Sequence, residues 1–191
     1  MTRAEQKAAT HEELLRLAER LFATHGYAAV SIPTVVAAAG LTKGAVYHHF
    51  PGKAALFEAV LERVQQGVAE QVEVAAAAAG GSWPGLIAGC RAFLSASTAP
   101  SVRQIMLIDG PAVLGWERWR QLDEATSAQH LADAVSALIQ DGTLAERPVQ
   151  PVVRLLSGAM NEAALWLAAR SNADDLDEAM DVLEAMLTGL R

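Results

Sequence analysis

The chain has 191 residues, of which 52% are apolar and 19% charged, with a net charge of −7; that balance excludes a disordered chain and fits one good core or two small ones sharing an interface. Cys90 is the only cysteine, which excludes an intrachain disulfide and argues against a Cys-based zinc site. No run approaches the roughly 18 apolar residues of a membrane span and the first 30 residues hold no signal-peptide core, so a cytoplasmic protein is expected.

Ala, Leu, Glu, Gln and Arg dominate while β-branched and aromatic residues are sparse, which predicts an all-α fold of about nine helices and no sheet. Charge is unevenly spread. Residues 1–63 carry seven Lys/Arg against six Asp/Glu and four of the five His, whereas residues 64–191 carry eight against sixteen. Any approach to nucleic-acid phosphate is therefore expected from the N-terminal third alone.

Leu14, Leu17, Ala18, Leu21 and Phe22 recur at the spacing of one helical face and predict a first helix from about Ala4 to His25, with Gly26 as its left-handed cap. Ser31 as N-cap and Pro33 in the first turn predict a second helix that stops at Gly40. Thr42 caps a third, in which Val46 and Phe50 point inward while Lys43, Gly44, Tyr47 and His48 stay outside. About seven residues at 1.5 Å each make a rod near 10 Å long, the size that fills a major-groove face. The neighbours His48 and His49 could suggest a metal site, but adjacent helical positions point about 100° apart. One outward contact and one packing role is the expected pairing, and no metal is assigned.

Pro51-Gly52 breaks the chain, and a fourth helix with Phe57, Val60, Leu61, Val64 and Val68 runs from near Lys53 to Gly80-Gly81 as a connector. The expected units are residues 1–53 as an N-terminal helix-turn-helix head, 54–80 as the connecting helix, and 81–191 as a second helical domain. In that domain Ser82-Trp83-Pro84 signals a helix start. A short helix from Ser101 to Ile108 ends at Asp109-Gly110, and Pro111 restarts a long bent helix that reaches Gln140. The eighth expected helix, Pro151 to about Arg170, is apolar on two sides and should be buried on both. The ninth starts behind Asp174, Asp175 and Asp177 and carries Leu176, Met180, Leu183, Leu187 and Leu190 to the chain end; at that place an interface is favoured over plain core.

Cys90, Phe93, Met106, Trp119, Met160, Asn161 and Trp166 form an apolar set with one amide. Each alone fits ordinary core packing, but with room left by Gly85, Gly89 and Gly158 the set is assigned to a small-molecule cavity that Asn161 faces. Glu162 and Asp109 are left as solvated or capping groups, and His130 as a core or interface histidine. With no Gly-rich phosphate loop, HExxH or paired-Cys motif, no enzyme and no cofactor is expected.

The series FATHGYAAVSIPTVVAAAGLTKGAVYHHFPGKAALFEAV, and above all Thr42–Phe50 followed by Lys53, Leu56 and Phe57, resembles the TetR family of bacterial transcriptional regulators (TetR/AcrR-like). The resemblance covers residues 9–63, about a third of the chain; beyond residue 80 it extends only to helical character and length. It implies a cytoplasmic homodimer on a palindromic DNA operator, paired through the eighth and ninth helices, and a C-terminal domain that binds a small hydrophobic effector and moves the two heads. By position, Thr42, Tyr47, His48 and Lys53 would contact phosphate and Lys43 would reach base edges, with backbone access at Gly44. A reading face with one Lys and no Arg makes few bidentate base contacts, so specificity leans on Tyr47, backbone approach at Gly44 and Ala45, the Ser31 and Thr42 hydroxyls, and DNA shape. Two departures stand out: Thr34 where a carboxylate or amide is frequent, and Gly52 where Ser or Asn is. A ligand-responsive repressor is the expected function; a helical scaffold of the same fold that does not read DNA is the alternative.

Overall fold

A computed structural model describes residues 2–170, 172 and 174–191, with the backbone alone of Arg3. The described residues form eleven α-helices and one π-helical turn, with no strand among them. The all-α expectation holds.

Helices α1 (Arg3–Ala29), α2 (Ile32–Ala39) and α3 (Lys43–His49) make the head, together with the start of α4 (Lys53–Ala78). Leu14, Ala18 and Phe22 of α1, Val35 of α2, Val46 of α3, Phe50, and Leu56, Phe57 and Val60 of α4 are all buried, so the i, i+3, i+4 stripes read from sequence converge on one centre. Phe22 and Tyr27 both meet Phe57 edge-on, with ring centroids 5.2 and 5.0 Å apart. At the rim Arg63 of α4 pairs with Glu12 and Glu19, binding α4 to the length of α1.

The second half of α4 packs extensively on α5 (Ser82–Thr98). A Cβ at Gly85 would lie 3.2 Å from the Ala76 carbonyl oxygen and one at Gly89 3.3 Å from Val72 Cγ1, so these two glycines let the helices approach closely. The chain continues through α6 (Pro100–Arg103), a π-helical turn (Gln104–Asp109), α7 (Gly110–Leu114), α8 (Trp116–Glu124), α9 (Ser127–Gln140), α10 (Val149–Ala168) and α11 (Asp175–Thr188). Helices α5, α9 and α10 pack on one another to close the body's core.

Several boundaries differ from the sequence reading for identifiable reasons. Gly26 does not end α1: at φ 74°, ψ 160° it leaves the helical region, and the helix resumes for Tyr27–Ala29. The expected helix Ser101–Ile108 begins at Pro100 and passes into the π turn; Gly110 is itself helical and stops nothing. The expected long helix Pro111–Gln140 is three helices, broken at Gly115 and again at Ala125-Thr126. Ser82 is the first residue of α5, behind Gly81, and α10 begins at Val149. Within one chain α10 is covered where it meets α5 and α9, while Leu155, 76% exposed, and Gly158 and Ala159 lie open on its other side.

Candidate functional site

The head presents α3 by local rules. Ser31 Oγ accepts the Thr34 N–H at 3.2 Å and meets the Thr34 hydroxyl at 2.8 Å, so Thr34 supplies a hydroxyl partner where a longer carboxylate or amide would reach back to the N-cap. Gly40 closes α2 at φ 63°, a left-handed conformation that costs glycine nothing. Thr42 Oγ1 then accepts the Ala45 N–H at 3.2 Å and starts α3. With Val46 buried beneath, the opposite side of the seven-residue helix is left to solvent: Thr42, Lys43, Gly44, Tyr47 and His48 are exposed and Ala45 is half-buried. Lys43 Nζ lies 5.6 Å from the Tyr47 ring centroid, so cation and aromatic form one patch. Open space surrounds Gly44, which leaves its backbone approachable.

Two neighbours of this face are already engaged. Lys53 is half-buried, with Nζ 3.9 Å from the Tyr27 ring centroid and donating to the Ala28 carbonyl at 3.4 Å. His49 takes the packing role expected of one member of its pair. It sits by His11 of α1, whose ring stacks on Phe50 at 4.7 Å, and by His48 at 5.8 Å. Burial, then the charges of His11, His48 and Lys7, push the His49 imidazole below its ordinary range, so the stack favours the neutral ring. No cluster of three or more metal-ligating side chains with metal-binding geometry occurs among the described residues.

The head joins the body at the kink in α1. Beyond Gly26 the helical N–H groups have lost their regular partners, and the Tyr27 N–H donates to Asp109 Oδ2 at 2.7 Å. Asp109 ends the π turn, whose Met106 carbonyl accepts the Trp119 indole N–H at 2.7 Å. Gly110 makes this junction fit, since a Cβ there would lie 2.8 Å from Trp119 Cδ1. Arg118, beside Trp119 on α8, donates to Glu58 of α4 at 2.7 Å. Thus α8 is linked to the head by two routes, through the π turn to α1 and directly to α4.

At its far end α8 forms part of a cavity of about 340 Å³ between α4, α5, α9 and α10. Exposed Glu73, Ala77 and Ser82 mark its mouth; buried Leu86, Cys90, Phe93, Leu131 and Met160 its floor. Burial pushes the Cys90 thiol up to about 12. One corner is polar: Arg120 Nη1 donates to Asp123 Oδ2 at 3.1 Å and to Ser157 Oγ at 2.9 Å, and Ser157 Oγ donates to Asp123 Oδ2 at 3.2 Å. Burial raises the Asp123 carboxyl; the Arg120 charge and the Ser157 hydrogen bond oppose that, and Glu124 adds to it.

Of the predicted ligand set, Cys90, Phe93 and Met160 line this cavity. Met106 and Trp119 instead lock the π turn to α8, and Asn161 is buried away from the cavity wall with no partner for its amide among the described residues. Trp166 lies in a separate groove with Val182, Leu183 and Met186, on the outer side of α10 and α11. Gly158 opens to solvent on that outer side and leaves no room in the cavity. Sequence reasoning missed Asp123, Ser127 and Ser157, and placed His130, which lines the cavity, in core or interface. The available signal was Asp123, one turn after Trp119 on the apolar stripe of its helix.

Two family profiles match the chain: "Bacterial regulatory proteins, tetR family" over residues 14–60 and "Tetracyclin repressor-like, C-terminal domain" over 83–190. The HTH-type transcriptional regulator AcrR of Shigella flexneri is 36% identical over 61 residues, a match that spans 32% of this chain and 28% of AcrR. The repressor AcnR of Corynebacterium diphtheriae is 25% identical over 181 residues, covering 91% of this chain and 88% of its own. A TetR-family transcriptional regulator from Pectobacterium atrosepticum superposes with a TM-score of 0.81 at 33% identity, over 100% of this chain and 97% of that one. These relatives are transcriptional regulators and not enzymes, and no described helix is long and apolar enough to cross a membrane. A head that offers one short helix to solvent, a body hollowed beside it, and profiles that match both halves lead to one conclusion: the chain belongs to the TetR family of transcriptional regulators.

Proposed function

We propose that this regulator is a ligand-responsive repressor that binds a palindromic operator as a homodimer and is released by a small apolar effector. Residues 1–53 read DNA, 54–80 connect, and 81–191 bind effector and partner. The observation that carries the reading is the exposed face of α3, where Thr42, Lys43, Tyr47 and His48 stand on a helix anchored by buried Val46 and Phe50. Thr42, Tyr47 and His48 meet phosphate while Lys43 reaches base edges. Ser31 adds a hydroxyl at the start of α2, Gly44 and Ala45 bring backbone close, and Lys53 either stays on Tyr27 or swings to phosphate.

TetR regulators bind DNA as dimers, and this chain offers a second copy the outer face of α10 and α11. Leu155, Trp166, Val182 and Met186 are 76, 42, 63 and 54% exposed there, an apolar stretch that a lone chain would leave wet. An effector entering the body meets α8, and α8 holds the head's support through Trp119, the π turn and Asp109, and through Arg118 and Glu58. A shift of α8 thereby reorients α3 against its partner copy. Two weak heads joined in a dimer bind tightly because the second engagement is effectively intramolecular.

The test is a gel shift with the DNA upstream of the protein's own gene, with sedimentation to report the dimer. Salt-dependent binding by the dimer, lost in Lys43→Ala/Tyr47→Ala, is the expected result. Operator affinity that survives that double substitution would overturn α3 as the reading face, and no binding to any DNA would leave a helical scaffold in its place.

A further inference from the structure

The cavity in the body has an uneven interior. Its walls are mostly alanine, glycine and aliphatic side chains, whereas buried Asp123 and Ser157 sit together at one corner. How that corner's hydrogen bonds are spent decides what it can accept.

Ser157 gives its one hydrogen to Asp123 Oδ2 and receives one from Arg120 Nη1, and Oδ2 also receives one from Arg120. Both bonds to Asp123 end on Oδ2; Oδ1 takes part in neither, and it is not among the polar atoms sealed from solvent without a partner, although Asp123, a lining residue of the cavity, is only 3% exposed. A carboxylate oxygen is an acceptor with nothing to donate. The corner therefore asks a ligand for a hydrogen.

Charge narrows the choice. Arg120 reaches Asp123 at 3.1 Å and Glu124 at 3.6 Å, and Arg154 reaches Glu124 at 2.7 Å, so two cations already balance two anions. A ligand carboxylate or phosphate would face Asp123 with only His130 as a basic group on the cavity wall. A ligand ammonium would have to give up its hydration at the apolar floor, where Asp123 is already paired with Arg120 and the other lining carboxylate, Glu73, stands out at the exposed mouth. A neutral donor satisfies Oδ1 without disturbing either balance. The volume of about 340 Å³ lies at the low end of the roughly 300–1,000 Å³ of small-molecule sites. It suits a compact ring system more than a long chain.

The geometry points to a neutral, compact, largely apolar alcohol or phenol as the class of molecule this cavity takes, its hydroxyl given to Asp123 Oδ1 and its rings laid on Phe93, Leu131 and Met160. This assignment rests on the reading of the cavity as the effector site, and Asp123 with Ser157 is the specificity-determining pair.

The test is calorimetric titration of the full-length protein at pH 7.5 with three matched probes: 1-naphthol, 1-methoxynaphthalene and 1-naphthoate. The expected result is that 1-naphthol binds at least tenfold more tightly than either analogue. Asp123→Leu should bring the naphthol-to-ether ratio below threefold, and Ala134→Phe, which fills the cavity from α9, should abolish all binding. If the ether or the naphthoate binds as tightly as naphthol and Ala134→Phe still abolishes it, the cavity stands and the hydroxyl assignment is overturned. If no probe binds, or binding ignores Ala134→Phe, the assignment falls together with the cavity reading. Should Asp123→Leu fail to fold, the wild-type ranking of the three probes decides.

Discussion

Head and body meet opposite demands on their polar groups. In the head the chemistry faces outward: Thr42, Lys43, Tyr47 and His48 stay hydrated while an apolar wedge beneath them fixes the helix. In the body polar groups are drawn inward, and Arg120, Asp123 Oδ2 and Ser157 hydrogen-bond one another across two helices at the end of an apolar cavity. An outward face is tuned by single side chains. An inward one depends on several residues at once, because removing one partner strands the others.

The contrast is broken most sharply through Cys90. A thiol pushed to about 12 by burial exposes almost no thiolate. With a free thiol near 8.5 as reference, labelling by a thiol reagent at pH 8 should run roughly a thousandfold slower in the native protein than after unfolding. A native rate near that of free cysteine would mean the cavity floor is not closed from solvent.

On the head, Lys43→Ala/Tyr47→Ala should weaken operator binding by about a hundredfold, if each good base contact is worth about 1–3 kcal/mol in each half-site. Thermal unfolding should stay unchanged, since both side chains are solvent-facing. A fall in stability of the same size as the loss of affinity would show that this face also supports the fold.

These two outcomes bear on what could be read in advance. Ser31, Gly40, Thr42, Val46 and Phe50 were legible because each acts within four residues of its partner, the range over which helix caps and i, i+4 stripes operate. The TKGAVYHHF fragment added the expectation of DNA contact that local chemistry alone leaves generic. The body was legible as helical and as apolar, and three of the seven expected cavity residues line the cavity. What escaped was non-local: Trp119 bonds a carbonyl 13 positions away, Ser157 reaches residues 34 and 37 positions away, and Tyr27 meets Asp109 across 82. No periodicity encodes such pairings. Gly115 and the 125–126 break also vanish into a continuous helical pattern when only apolar spacing is followed.

The joint between the two regions gives a smaller effect. Gly26→Ala places a Cβ at φ 74°, ψ 160°, a region that essentially only glycine occupies, and should cost about 1–3 kcal/mol in denaturant unfolding. Effector affinity measured on the folded protein should hold, because the cavity lies elsewhere. Equal loss at both would make head and body one inseparable unit.

The smallest effect is a pH dependence in the head. The His49 imidazole titrates below its unfolded value near 6.5, so the unfolded chain binds the proton first as pH falls. Its contribution is complete above that value and is lost as pH drops through the lowered folded one. Thermal scans from pH 7.5 to 5 should show a decline that His49→Gln lessens; an unchanged slope in the variant would assign the decline to other groups.

The hydrogen bond from Tyr27 to Asp109 has a consequence for how this protein tolerates change. Its donor belongs to the main chain, so nearly any residue could replace tyrosine at that position and still be gripped; only proline, which has no N–H, would remove the donor itself. The acceptor has no such latitude, for Asp109 must keep a carboxylate of that reach and Gly26 must keep the turn that presents the donor. The bond thus constrains Gly26 and Asp109 but not the side chain at position 27, whose ring is held by its own contacts with Phe57 and Lys53. Heads with different reading faces could be exchanged onto this body with the coupling intact, provided each arrives with a glycine where α1 bends and a carboxylate at the Glu58 position to meet Arg118.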